Sequence, residues 1–150
     1  MNLLSIANRT VAIALPETPV SAAAQMMRER HVGALVLMSS KREDAIPVGL
    51  VTDRDLVVEI LAQEVDPEMV TIGDITLGRL VTAHMDDTLF EGMAQMSTEG
   101  VRRLVIVDDL GALVGLVAMD DIIVALSGAL SVLAKAIQTE IGTERRERSA

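Results

Sequence analysis

The residues best placed to do chemistry lie in Gly49-Leu50-Val51-Thr52-Asp53-Arg54-Asp55-Leu56, where a hydroxyl and a carboxylate stand three residues apart at the end of an apolar run. The run reads as a strand and the residues after it as a helix, so Thr52 falls at a helix start. A Thr followed three residues on by an acid is a capping box: Thr52 takes the amide of Asp55, and Asp55 reaches back to Thr52. Such a cap is worth about 1 kcal/mol and needs no ligand. The same geometry also suits a nucleotide. Helix N-termini expose unpaired N–H groups and favour anions. A hydroxyl there can bond a phosphate, and a carboxylate one turn on can accept two hydrogen bonds from a ribose diol. The Arg54 guanidinium adds positive charge, and aliphatic strands can bury the base. On this fragment alone both readings stay open.

Other candidates carry less. His31 and His84 are single and far apart, which suits surface or satisfied roles rather than a metal site. Asp108-Asp109 reads as a turn, and the nine Met read as gap-filling core. No Ser/His/Asp set, Walker loop or G-x-G-x-x-G is present, and no nucleophile has an activating base. The expectation is a protein that is not an enzyme and has no metal. Zero Cys excludes disulfides, Cys-ligated metal and a thiol nucleophile, and fits a cytoplasmic protein.

Composition narrows the class further. The 150 residues are half apolar, with one Phe and no Trp or Tyr, so the core must be aliphatic. A net charge of −9 argues against nucleic acid, whose non-specific affinity comes from neutralising phosphates. No stretch reaches about 18 uninterrupted apolar residues, and no basic amphipathic face is evident, so no membrane association is expected. The N-terminus has no basic stretch followed by an apolar run, so a signal peptide is not expected either.

The elements that must position Thr52 and Asp55 occur twice. A shift of 69 superposes Ile6 on Ile75, Val20 on Leu89, Met27 on Met96 and Val32 on Val101. A shift of 66 carries Val48-Gly49-Leu50-Val51 onto Val114-Gly115-Leu116-Val117. The difference falls in the turns, Ser39 to Ile46 against Asp108-Asp109-Leu110-Gly111, where Gly111 can take positive φ. Each unit opens with a short strand, Val11-Ala12-Ile13 or Leu80-Val81-Thr82. A helix comes next: Val20, Ala23, Ala24 and Met27 share one face, as do Leu89, Gly92, Met93 and Met96. Then come two buried strands in a hairpin, and a second helix, Asp53 to Gln63 or Met119 onward. The order is β-α-β-β-α, an α+β architecture. An acidic linker carries Pro67, and Thr71-Ile72-Gly73-Asp74 predicts a capping box. The last helix reaches toward Arg148 and has more apolar positions than its unit needs; the surplus reads as a dimer contact.

The tandem units and Gly49 to Leu56 resemble the cystathionine β-synthase (CBS) domain in its paired form, the Bateman module, of the small bacterial type. Asp120-Asp121-Ile122 after Gly115-Leu116-Val117 matches the closing motif of a second copy, and Gly100-Val101-Arg102-Arg103-Leu104 its strand entry. Expected boundaries are 1–66 for the first unit, 67–72 for the linker, 73–136 for the second unit and 137–150 for a helical tail. The resemblance implies two units about a pseudo-two-fold axis, with two clefts that bind adenosyl ligands: AMP, ADP, ATP or S-adenosylmethionine. In the first cleft it makes Thr52 a phosphate or ribose contact and Asp55 the ribose-diol acceptor. Adenine then lies near Val81, Val101 and Arg102, with Arg54, Arg102 and Arg103 as phosphate partners. An ion pair of one arginine with Asp108, Asp109 or Asp120 is the plainer use. In the second cleft Ala118 stands where the first copy has Thr52. That weaker site would consist of Ala12, Val32, Gly33, Ala118 and Asp121. Val36 and Val105 stand where the family often has Pro, which bears on strand geometry. The function implied is a regulatory adenine-nucleotide sensor, a homodimer acting on an unidentified regulated protein. The alternative is an interaction or dimerisation module with no small-molecule ligand.

Overall fold

The computed structural model describes residues 1–76 and 80–148; Leu77, Gly78, Arg79, Ser149 and Ala150, which fall in the expected second unit and tail, lie outside it. Two three-stranded sheets form, one per repeat. The first contains β1 (Ile13–Ala14), β2 (Ala34–Met38) and β3 (Pro47–Thr52), and the second β4 (Thr82–His84), β5 (Arg103–Val107) and β6 (Leu113–Ala118). In each, the first strand is parallel to the second and the second antiparallel to the third. Register repeats as well: Ala34 pairs Thr52 where Arg103 pairs Ala118. Gly111 has φ +78, as its turn requires.

The helices are α1 (Val20–Arg30), α2 (Asp53–Asp55), α3 (Ile72–Ile75), α4 (Leu89–Glu99) and α5 (Met119–Arg148). Two expectations need correction. The opening strands begin two residues later than Val11 and Leu80; those two side chains turn instead into the layer between the units. The helix expected over Asp53 to Gln63 is α-helical only to Asp55. It widens to a π-helix over Leu56–Leu61, and Ala62 N–H reaches the carbonyl of Val57, five residues back. No sequence signal marks this change.

Alternation along the central strands builds three cores. Leu35 and Leu37 face the helices of the first unit, and Leu104 and Ile106 those of the second. The intervening Val36, Met38 and Val105 face the other way and form an inter-unit layer with Ala45. The opening segments are exchanged in space. Leu3 is buried in the second unit's core, with its N–H on the Asp87 carbonyl at 2.8 Å. Ile72 is buried in the first unit's core, with its N–H on the Thr18 carbonyl at 2.9 Å. Close approach at these crossings demands glycine: a Cβ on Gly73 would lie 2.8 Å from the Pro16 carbonyl oxygen.

Capping boxes start α3 and α4. Thr71 N–H donates to Asp74 Oδ2 at 2.9 Å, and Thr88 N–H to Glu91 Oε2 at 2.7 Å. The backbone bond, then the hydroxyl bond, holds both carboxyls below their ordinary range. A depressed folded-state value stabilises above the unfolded value. These caps therefore contribute fully at neutral pH, and the contribution is lost as pH falls through the lowered folded values. Melting temperature is expected to decline with acidification, and Asp74→Asn with Glu91→Gln to flatten that decline; an unchanged profile would refute the assignment.

The last helix runs as expected to Arg148, uninterrupted at Gly128 and Gly142. The expectation about membrane association needs amendment. Met119–Thr143 is long and apolar enough to cross a membrane by length and composition, with mean hydropathy 1.7 over its most apolar stretch. A search for uninterrupted apolar runs misses it because Ser127, Gly128, Ser131 and Lys135 are interspersed.

Candidate ligand cleft between the two units

Thr52 ends β3 and caps α2, with the bonds its sequence predicts. Thr52 N–H and Oγ1–H donate to Asp55 Oδ2 at 2.7 and 2.8 Å, and Asp55 N–H donates to Thr52 Oγ1 at 3.3 Å. This is the same geometry as at Thr71 and Thr88, so the cap alone says nothing of a ligand. Its bonds to Asp55 use Oδ2, which leaves Oδ1 as an acceptor.

What sets this cap apart is its surroundings. A cavity of about 320 Å³ opens beside it, lined by Thr52, Arg54 and Asp55 from the first unit and Val81, Val101, Arg102 and Arg103 from the second. All seven residues expected of the first cleft line this one space. Its volume falls within the usual range of small-molecule sites. Leu50 and Gly100 also line it, and neither was singled out in the sequence. Alternation could have found Leu50: Val51 is fully buried under the helices, so Leu50 must face the opposite way. Gly100 takes φ +65 as the C-cap of α4 and turns the chain toward Val101.

A second, smaller cavity of about 190 Å³ adjoins the first and shares Thr52, Arg54, Arg102 and Arg103 with it. Its other walls are Asp53, Ala118, Met119 and Asp120, so the start of α5 closes it. It straddles equivalent positions of the two repeats: Asp53 N–H bonds the Gly33 carbonyl at 3.1 Å, and Met119 N–H the Arg102 carbonyl at 2.9 Å. Arg102 makes the ion pair expected as its plainer use, 3.9 Å from Asp120, but both side chains are at least three-quarters exposed. Such a pair is worth little and does not withhold the guanidinium from an anion.

The residues expected of the second cleft take the following places. Ala12 is buried in the first unit's core, and Gly33 lies against Asp53 and Arg103. Val32 packs on the same core as Ala12, and Ala118 lines the smaller cavity. Asp121 does half the work of a cap, accepting Ala118 N–H at 2.8 Å. Ala118→Thr is expected to complete that cap and raise stability by about 0.5–2 kcal/mol. Urea unfolding checks it; an unchanged midpoint would refute the equivalence of Ala118 and Thr52.

His84 is satisfied, with Nε2 3.0 Å from Asp109 Oδ1. Among the described residues no three His, Asp or Glu side chains gather as a metal site. Larger cavities of about 530 and 550 Å³ lie on the first unit and the start of the linker and have mostly apolar walls; neither joins a hydroxyl, a carboxylate and guanidiniums.

Two β-α-β-β-α units packed through their sheets, with a ligand-sized cleft at their junction, define a class of paired domain. The chain belongs to the CBS-domain family, whose model matches residues 4–62 and 72–128. An uncharacterised protein of Methanopyrus kandleri is 36% identical over 118 residues, 79% of this chain and 59% of that protein. This chain thus spans under two-thirds of that relative's length. The crystal structure of Hypoxic Response Protein I with two coordinated zinc ions superposes with a TM-score of 0.69 at 30% identity, covering 81% of this chain and 96% of that one. A CBS domain protein from Pyrobaculum aerophilum complexed with AMP shares the fold, with a TM-score of 0.74 at 21% identity, covering 85% and 99%.

Proposed function

We propose that the chain is a regulatory module that binds an adenine nucleotide in the Thr52/Asp55 cleft. The observation that carries this reading is the convergence of seven residues from both units on one cavity. Asp55 Oδ1 accepts from the ribose diol, and the aliphatic walls of Leu50, Val81 and Val101 take the base. The phosphates run toward Arg54, Arg102 and Arg103. Three guanidiniums favour AMP, ADP or ATP over S-adenosylmethionine, whose sulfonium is cationic. The AMP complex of the Pyrobaculum protein supports the ligand class.

Binding would draw together groups of both units and of the first turn of α5, so it favours one arrangement of the units. The protein acts without catalysis, as a cytoplasmic homodimer that passes this shift to a regulated protein. The self-satisfied cap at Thr52 favours a second reading, an interaction module whose cleft holds nothing.

One measurement separates the two. With no Trp or Tyr the protein barely absorbs near 280 nm. Purified protein is treated with nuclease, washed, denatured, and its released small molecules chromatographed; it is then titrated with AMP, ADP, ATP and S-adenosylmethionine by thermal shift. Ligand at 100 times its dissociation constant adds about 2.7 kcal/mol. A retained adenine compound, or a shift with the phosphorylated nucleotides, supports the sensor. No retained compound and no shift with any of the four would overturn it in favour of the interaction module.

A further inference from the structure

The family match stops at residue 128, and α5 continues twenty residues beyond it. Leu130, Leu133 and Ile137 are each more than half exposed there. With Ile123, Ile141 and Leu126, which is partly buried against the second unit's core, they recur at intervals of three and four and make one apolar stripe. The stripe is flanked by small residues (Ser127, Ala129, Ala134, Ala136), so a second helix can approach closely. Ser131, Lys135, Gln138 and Thr139 occupy the opposite side, together with the exposed Val124 and Val132. A helix surrounded by lipid is apolar all round; this one carries Lys135, Gln138 and Thr139 away from its stripe.

We infer that α5 pairs antiparallel with α5 of a second copy of this chain, with Ile123 opposite Ile141, Leu126 opposite Ile137 and Leu130 opposite Leu133. The stripe is close to symmetric about its midpoint, so reversal matches large side chains with large ones. Charge decides the direction. The first turn of α5 carries Asp120 and Asp121, and its last turn Arg145, Arg146 and Arg148 among Glu144 and Glu147, a net positive end. A parallel pair sets acids against acids, bases against bases, and Glu140 against its own copy. The antiparallel pair sets each acidic end beside a basic end and separates the two Glu140 carboxylates. Helix dipoles favour the same direction.

This pairing rests on the homodimer proposed for the sensor, and the test separates the two. The natural chain has no Cys, so Ile123→Cys and Ile141→Cys each introduce a single thiol. Antiparallel pairing holds like positions about 27 Å apart, eighteen residues at 1.5 Å each, far beyond the roughly 7 Å a disulfide spans between Cα atoms. Co-refolded and oxidised, the two variants are expected to cross-link with each other, and neither to cross-link alone. Cross-linking of either alone would overturn the antiparallel direction. A two-chain mass in sedimentation with no cross-link in any mixture would place the dimer contact elsewhere. A one-chain mass would overturn the homodimer itself. Co-flotation of the natural chain with phosphatidylcholine vesicles would make lipid the occupant. Leu133→Lys, at the middle of the seam, is expected to yield single chains that keep the folded far-ultraviolet spectrum; an unchanged two-chain mass would overturn the seam.

Discussion

Asp55→Ala is expected to weaken adenine-nucleotide binding about 10- to 100-fold, the worth of hydrogen bonds to a charged acceptor, while Asp74→Ala leaves binding unchanged. The comparison works because the two carboxylates do the same structural job. Each is the third residue of a capping box, with backbone and hydroxyl donors at 2.7–2.9 Å. Each loses that cap on truncation, so both variants should show a similar drop in melting temperature. Only Asp55 lies in the cavity between the units. Calorimetric titration of both variants with the nucleotide that binds the natural chain is the check. Equal affinity in the two would remove Asp55 from the site and leave it a cap like the others.

The fold was legible because the chain states it twice. One copy of Val48 to Val51 is an apolar run of uncertain partner; two copies at corresponding places fix the hairpins and the strand-to-helix junctions. The cap at Thr52, the turn at Gly111 and the length of α5 are local events, driven by residues within a few positions of one another, and local patterns expose them. The exchange of opening segments is not local. Leu3 and Ile72 are ordinary apolar residues in sequence, and only the packed units show that each is buried in the unit it does not precede. The π-helix over Leu56–Leu61 depends on how that turn meets its core, and periodicity does not report it.

The site divides along the same line. Thr52 and Asp55 carry their own signal, since their spacing is a motif. Val81, Val101, Arg102 and Arg103 have no spacing relation to them, and a resemblance had to supply the pairing. Leu50 and Gly100 line the cavity through backbone geometry, the first by alternation and the second by a left-handed cap. The second set was carried over by symmetry. Symmetry of the backbone survives in the paired bonds of Asp53 and Met119, but the side chains that would make a matching cleft have changed. Ala118 lacks the hydroxyl, and Met119 and Asp120 stand where the first copy has Asp53 and Arg54.

Val105→Asp is expected to unfold both units in a single transition. Val105 is fully buried, and so is Val36, its equivalent in the first unit. Both lie in the layer through which the two sheets meet. A carboxylate there would leave water for a layer built of Val36, Met38 and Ala45. A buried, unpaired charge costs on the order of 3–5 kcal/mol, against a total stability of about 5–15 kcal/mol for a domain. Because the layer belongs to both sheets, neither unit keeps its opposite face covered once the other is lost. Val132→Asp, at an exposed position on the side of α5 away from the apolar stripe, adds the same charge at a cost within about 0.5 kcal/mol. Urea unfolding monitored by far-ultraviolet circular dichroism distinguishes the outcomes. Two separated transitions in Val105→Asp would mean that the units fold independently. The cleft would then be a contact between two stable bodies, and a nucleotide would act by docking them rather than by shifting one cooperative structure.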